Sequence, residues 1–143
     1  MAIWFKTPTI EHLEERGENT LTTLIGIKIT KIGDDFLEGT MPVDERTIQP
    51  LGLLHGGASC VLAESLGSIA ANMALDTSKE YAVGLEINAN HIRSATSGKV
   101  TGIAKPIHLG RKTQVWEIRI TNVEGKLICV SRLTMAVIKK GGD

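Results

Sequence analysis

The stretch LGLLHGGASCVLAESLGS, residues 51–68, decides how the rest of the chain is read. It opens as a glycine-rich loop, passes through His55 and becomes an apolar segment carrying one carboxylate, Glu64. Apolar residues fall at Ala58, Val61, Leu62, Leu66, Ile69, Ala70 and Met73, close to helical spacing. This predicts a helix over 56–75, which would be ~30 Å long at 1.5 Å per residue. The positions between are mostly Ala, Ser and Gly, so neighbours should wrap the helix closely. Glu64 stands eight residues after Gly56, and nothing on the segment obviously neutralises it.

Working outward, Thr9 can cap a short helix over IEHLEER (10–16), with Glu11 in its first turn and Gly17 at its end. A further helical turn is predicted over 20–24. IGIKITKI (25–32) and FLEGTMPV (36–43) alternate apolar and polar residues about GDD, which reads as a hairpin. DERTIQPLG (44–52) is irregular, with Pro50 and Gly52 as breakers. After the long helix come four strand-like runs: YAVGLEINANHIRS (81–94), KVTGIAKPIHLG (99–110), KTQVWEIRIT (112–121) and LICVSRLTMAVI (127–138). VEGK (123–126) is a turn joining the last two. The expected order is a hairpin, one buried helix and an antiparallel meander, an α+β arrangement filling one domain, 1–143. A lone sheet of this size cannot cover both the helix and its own second face, so an oligomer is expected.

Composition narrows the partners. The 143 residues suit one domain with one core. Formal net charge is zero, which argues against nucleic acid as the main partner. No apolar run approaches the ~18 residues of a membrane span, and the N-terminus lacks the apolar region of a signal peptide. Cys60 and Cys129 share no metal-binding spacing and read as reduced core residues, which fits a cytoplasmic protein. Aromatic residues make up only 3% of the chain, so an aliphatic core is expected.

With these elements in order, LHGGASCVLAES, NANHIRS and HLGRKTQVWEI together resemble the HGG-type acyl-CoA thioesterases of the hotdog fold, in which an antiparallel sheet wraps a central helix. The resemblance runs from GIKI to TMAVI, nearly the whole chain. It implies hydrolysis of an acyl-CoA thioester, with 1,4-dihydroxy-2-naphthoyl-CoA of menaquinone biosynthesis as the expected substrate. It implies no metal and no cofactor, coenzyme A being part of the substrate. It further implies dimers with active sites at the interface, assembled as a homotetramer.

Thioester hydrolysis needs an attacking group and a donor for the developing negative oxygen. The first N–H groups of a helix lack intrahelical partners and carry the positive end of its dipole. Glycine there lets a ligand approach closely, so Gly56, beside Gly57, is the expected oxyanion donor. Glu64 would attack the carbonyl to form an anhydride, or act as base on water. Both groups must lie within ~3 Å of the reacting centre, yet ~12 Å of helix separates them. Two chains related by a twofold axis can meet that requirement where one can hardly do so. The resemblance implies the same, with Glu64 and Ser68 from one subunit and Gln49, His55 and Gly56 from the other. Gln49 would orient the thioester or water, His55 would bond near the carbonyl, and Ser68 would position water or the carboxylate. For coenzyme A it implies Gly84 near the pantetheine. His91, Ile92, Arg93 and Ser94 at one strand end would join Lys105, His108, Leu109, Gly110, Arg111, Lys112 and Thr113 at the next, the two ends converging on phosphate.

Three other readings compete. AESLG (63–67) fits a variant nucleophile elbow with Ser65 as nucleophile, but it lies inside a helical pattern where the elbow needs a strand–turn–helix. A hotdog hydratase could use the same carboxylate and histidine, since fold alone does not decide chemistry. A non-catalytic acyl-CoA sensor would need the basic cluster but not Glu64.

Overall fold

The computed structural model describes residues 1–141. Its elements are α1 (Ile10–Gly17), α2 (Leu21–Leu24), β1 (Lys28–Ile32), β2 (Leu37–Pro42), α3 (Gly56–Met73), β3 (Glu80–His91), β4 (Lys99–Leu109), β5 (Thr113–Thr121) and β6 (Leu127–Lys139). The six strands form one sheet in the order β1-β2-β4-β5-β6-β3, every neighbouring pair antiparallel. This is the expected α+β hotdog arrangement, with α3 packed against β2 to β6.

The strand order differs from a simple meander. Only β4, β5 and β6 follow one another side by side. The place beside β2 is taken by β4, and β3 lies at the far edge beside β6. Reaching that edge means crossing four strand spacings, ~19 Å at ~4.8 Å each. The sheet curls about α3: at mid-helix Leu66 meets Gly39 of β2 and Gly102 of β4, Gly67 meets Ile118 of β5 and Leu133 of β6, and Glu64 meets Gly84 of β3. The helix runs along β3, from His91 beside Gly56 to Ala82 beside Asn72, an arrangement that periodicity alone does not reveal.

Two glycines allow the helix to sit close. Gly39 of β2 and Gly102 of β4 are paired in register. A Cβ at either would come within 2.7 Å or 2.8 Å of the Leu66 methyls. Leu66 therefore drops into a saddle of bare backbone and is fully buried, beside Leu62, Ala63 and Ala70 on the same face. Truncating such a leucine costs ~2–5 kcal/mol, because the surroundings collapse only partly.

The N-terminal segment covers one end of this core. Thr9 caps α1 as predicted, its hydroxyl accepting from the His12 N–H at 3.1 Å. Trp4 stacks on Trp116 with ring centroids 6.3 Å apart and planes 2° from parallel. The indole of Trp4 donates to the Gly33 carbonyl at 2.7 Å, and that of Trp116 donates to Gln114 Oε1 at 2.9 Å. The core is thus not purely aliphatic. Aromatics are few, but both tryptophans are buried, each with its polar tip satisfied. No helix of the described residues is long and apolar enough to cross a membrane.

Candidate active site

The loop before α3 is folded against its own start. Ile48 bridges Leu54, the Gln49 N–H donates to the Leu53 carbonyl at 2.8 Å, and the His55 N–H donates to the Thr47 carbonyl at 2.8 Å. The Gln49 side chain is held from within the turn, its Oε1 accepting from the Leu51 N–H. His55 is the N-cap of α3, and its Nδ1 accepts from the Gly57 N–H at 2.8 Å. That bond requires a lone pair on Nδ1 and leaves the proton on Nε2, at the exposed side of the ring. The Ala58 and Ser59 N–H groups donate back to the His55 carbonyl. Of the first helical donors, Gly56 N–H alone has no partner among the described residues. The two glycines, paired in the sequence reading, therefore separate: Gly57 is consumed by the cap and Gly56 is free.

Gly56 opens onto a cleft of about 330 Å³ whose wall includes Gln49, Ser59, His91, Ile92, Arg93 and Ser94. A Cβ on Gly56 would lie 2.8 Å from His91 Nε2, so the imidazole rests directly against the helix start. Arg93 is steadied by one bond, Nη1 to the Leu127 carbonyl at 2.8 Å, and its remaining donors are exposed. The fold thus brings Gln49 and Gly56 together with the predicted His91–Ser94 group.

Glu64 and Ser68 are elsewhere. Neither lines this cleft; Glu64 lies eight residues along α3, ~12 Å up the axis. Gly57, Val61, Glu64, Ser68 and Asn72 follow at three- and four-residue spacing along one face of α3. Glu64 is exposed and has no hydrogen bond or ion pair among the described residues. Its Oε2 lies 2.8 Å from where a Cβ on Gly84 would be, so it rests over bare backbone of β3 at a register shift between Gly84 and Glu86. Ser68, one turn on, makes a single long contact to the Met135 sulfur at 3.8 Å. It opens onto a cavity of about 820 Å³ under α1 and α2, with Leu13, Ile27, Ile69, Met73 and Asn72 in the wall.

The expected convergence of two strand ends on phosphate does not occur within one chain. β3 and β4 are not neighbours; β5 and β6 lie between them. They also run in opposite directions, so their C-terminal ends lie at opposite ends of the sheet. His91 is opposite Cys129 of β6, whereas Thr113 is opposite Ala136, seven residues further along the same strand. That is ~23 Å at ~3.3 Å per residue. His108, Leu109, Gly110, Arg111, Lys112 and Thr113 form the β4–β5 turn, closed by the Gly110 N–H donating to the Thr113 carbonyl at 2.9 Å. Lys105 faces the β1–β2 turn, 3.9 Å from Asp35 and over the Phe36 ring. If these groups serve the same ligand as His91–Ser94, they must do so from another chain.

The cysteines are not poised for attack. Burial, and then the negative charge of Glu64, pushes the Cys60 thiol above its usual value. Burial, with Cys60 nearby, pushes Cys129 up to about 11. Little thiolate is present at neutral pH under those conditions. No group of His, Cys, Asp or Glu among the described residues could hold a metal ion. Sequence reasoning missed Asn72. Its helical register with Glu64 and Ser68 was visible, but not its bonds to β3.

A family model described as the thioesterase superfamily matches residues 51–129. The chain is 53% identical over 136 residues to the 1,4-dihydroxy-2-naphthoyl-CoA hydrolase of Escherichia coli (strain K12), covering 95% of this chain and 99% of that one. It is 48% identical over 136 residues to the proofreading thioesterase EntH of Cronobacter turicensis, covering 95% and 98%. The crystal structure of a thioesterase from Haemophilus influenzae superposes with a TM-score of 0.95 at 51% identity, covering 98% and 97%.

Proposed function

Because the chain belongs to the thioesterase superfamily and is a thioester hydrolase, we propose that it cleaves 1,4-dihydroxy-2-naphthoyl-CoA to the free acid and coenzyme A. Two chains form each site. The observation that carries the reading is the free Gly56 N–H at the start of α3, facing a cleft with Gln49, His91 and Arg93.

The chemistry follows from the two sets of groups. The Gly56 N–H of one subunit donates to the thioester carbonyl oxygen as it becomes negative, worth roughly 2.7–4 kcal/mol in sites of this kind. Glu64 of the other subunit attacks the carbonyl carbon or takes the proton of an attacking water. The C–S bond breaks and coenzyme A leaves, its thiolate taking up the proton drawn from water; on the nucleophilic route a water then hydrolyses the Glu64 anhydride, releasing the acid and restoring the carboxylate. Gln49, with its amide nitrogen uncommitted, orients the carbonyl or the water. His55 offers Nε2–H nearby, and Ser68 steadies the water or carboxylate. Arg93, with His91, Ile92 and Ser94, receives part of the coenzyme A moiety, and the β4–β5 turn with Lys105 contributes from another subunit.

Three features support the two-chain arrangement. Gly56 and Glu64 are too far apart along one helix. Glu64 has no partner in its own chain. The edge strand β3 leaves Val83 44% and Leu85 62% exposed, which suits burial against a second copy. A pair of such dimers gives the expected tetramer.

The acyl group suits the cavity of about 820 Å³ that begins at Ser68, one turn past Glu64, and has a largely apolar wall. The 53% identity to the E. coli hydrolase favours the naphthoyl substrate; the 48% identity to a proofreading thioesterase favours a broader range. Thiol release from 1,4-dihydroxy-2-naphthoyl-CoA, benzoyl-CoA and a medium-chain alkyl-CoA separates them. A highest kcat/KM for the first is expected. Equal values across the three would replace it with a broad acyl hydrolase, and no thiol from any would return the hydratase or sensor reading.

A further inference from the structure

We propose that Asn72 and Gly84 are positioning residues that together set where the Glu64 carboxylate stands, an inference that rests on the role assigned above to Glu64. The side chain of Asn72 joins α3 to β3 at one residue. Its Nδ2 donates to the Ala82 carbonyl at 3.1 Å and to the Ser68 carbonyl at 2.9 Å. Its Oδ1 accepts from the Ala82 N–H at 2.8 Å. Both backbone groups of Ala82 are thereby held by one amide, much as a neighbouring strand would hold them. β3 is paired on one side only, with β6, so this amide is what fixes its height relative to the helix here.

Two residues on, Gly84 lies under Glu64. A Cβ there would be 2.8 Å from Glu64 Oε2 and 3.5 Å from its Cδ, while the nearest atom of any other residue, on Leu133, is 4.0 Å away. Gly84 is not among the glycines with positive φ, so the backbone would accept any residue. The glycine is required by the carboxylate, and by little else in this chain. Asn72 fixes the strand, the strand presents a notch at Gly84, and the notch admits the carboxylate. Asn72, Ser68 and Glu64 lie on one face of α3, so clamp and clamped group share one rigid element.

Gly84→Ala isolates this effect, since the atom it meets is the mobile end of a side chain. The carboxylate must retreat from 2.8 Å to beyond 3.4 Å to reach ordinary contact. Displacements of that order at a reacting group cost about tenfold to a hundredfold. The experiment measures kcat and KM for benzoyl-CoA, with melting temperature, for wild type, Glu64→Ala, Gly84→Ala, Asn72→Ala and each of the last two combined with Glu64→Ala. The expected result is a kcat loss of about tenfold or more for Gly84→Ala. KM should stay within about twofold, and the melting temperature should be at or above wild type. In the Glu64→Ala background neither Gly84→Ala nor Asn72→Ala should lower kcat further, because the group they position is gone. A wild-type kcat for Gly84→Ala, a loss confined to KM (the result if Gly84 serves only the pantetheine contact that the resemblance implies), or the same fold-loss with and without Glu64 would overturn the inference. If Asn72→Ala fails to fold, Gly84→Ala still decides. Undiminished activity in Glu64→Ala would overturn the role of Glu64 itself; an inactive Glu64→Ala beside an unaffected Gly84→Ala removes this inference alone.

Discussion

The two ends of the proposed chemistry differ in how fully one chain equips them. At the start of α3, Gly56 is surrounded by Gln49, His91 and Arg93 in a formed cleft, and the cap bond from Gly57 to His55 singles out one free donor. At Glu64, two turns along, the same chain supplies a notch and no polar partner. One region is a site lacking an attacking group; the other is an attacking group lacking a site. On the proposed reading, a single helix carries two half-sites, complementary only when two copies meet.

Substitutions at the two regions should therefore be comparably severe while leaving assembly intact. Glu64→Ala should lower kcat by about 10²–10⁴-fold with an unchanged gel-filtration profile, because Glu64 is exposed and unpaired in its own chain. Gly56→Pro attacks the other half. Proline is well suited to the first helical position and removes the N–H, and the residue before it already has φ −68° and ψ 130°, which proline tolerates. A loss of about 10²–10³-fold is expected. The ring must also displace the His91 imidazole, so His91→Ala is measured alongside; a loss no larger than that of His91→Ala would leave the donor role unsupported. Cys60→Ser should be the mildest change, with turnover within about twofold of wild type. Its raised thiol pKa leaves less thiolate at any given pH, so iodoacetamide at pH 8 should modify it more slowly than free cysteine. Rapid alkylation with matching inactivation would point instead to a thiol mechanism.

Much of the fold was legible because it is written in local pattern. Thr9 at the start of α1, the alternation on either side of GDD and the apolar spacing from Ala58 to Met73 each report on a few neighbouring residues. The place of β3 was not legible. That strand reads like its successors, and its position at the far edge goes with the sheet curling about α3 and with β4 taking the place beside β2. The same blind spot governed the site. Gln49, Gly56 and His91–Ser94 come together as expected. The β4–β5 turn does not join them, because strand direction and order decide which ends meet. Glu64 over Gly84 and Asn72 on Ala82 are contacts between elements, and no spacing within either element announces them.

The central claim, that two chains complete one site, is tested most directly by mixing two inactive variants. Glu64→Ala and Gly56→Pro are unfolded together, refolded as a mixture and assayed for thiol release against each refolded alone. If the half-sites come from different subunits, each mixed dimer holds one site with both groups intact, and about a quarter of the wild-type activity should return. If mixed dimers form and activity stays at the level of the separate variants, both groups act within one chain and the account is wrong.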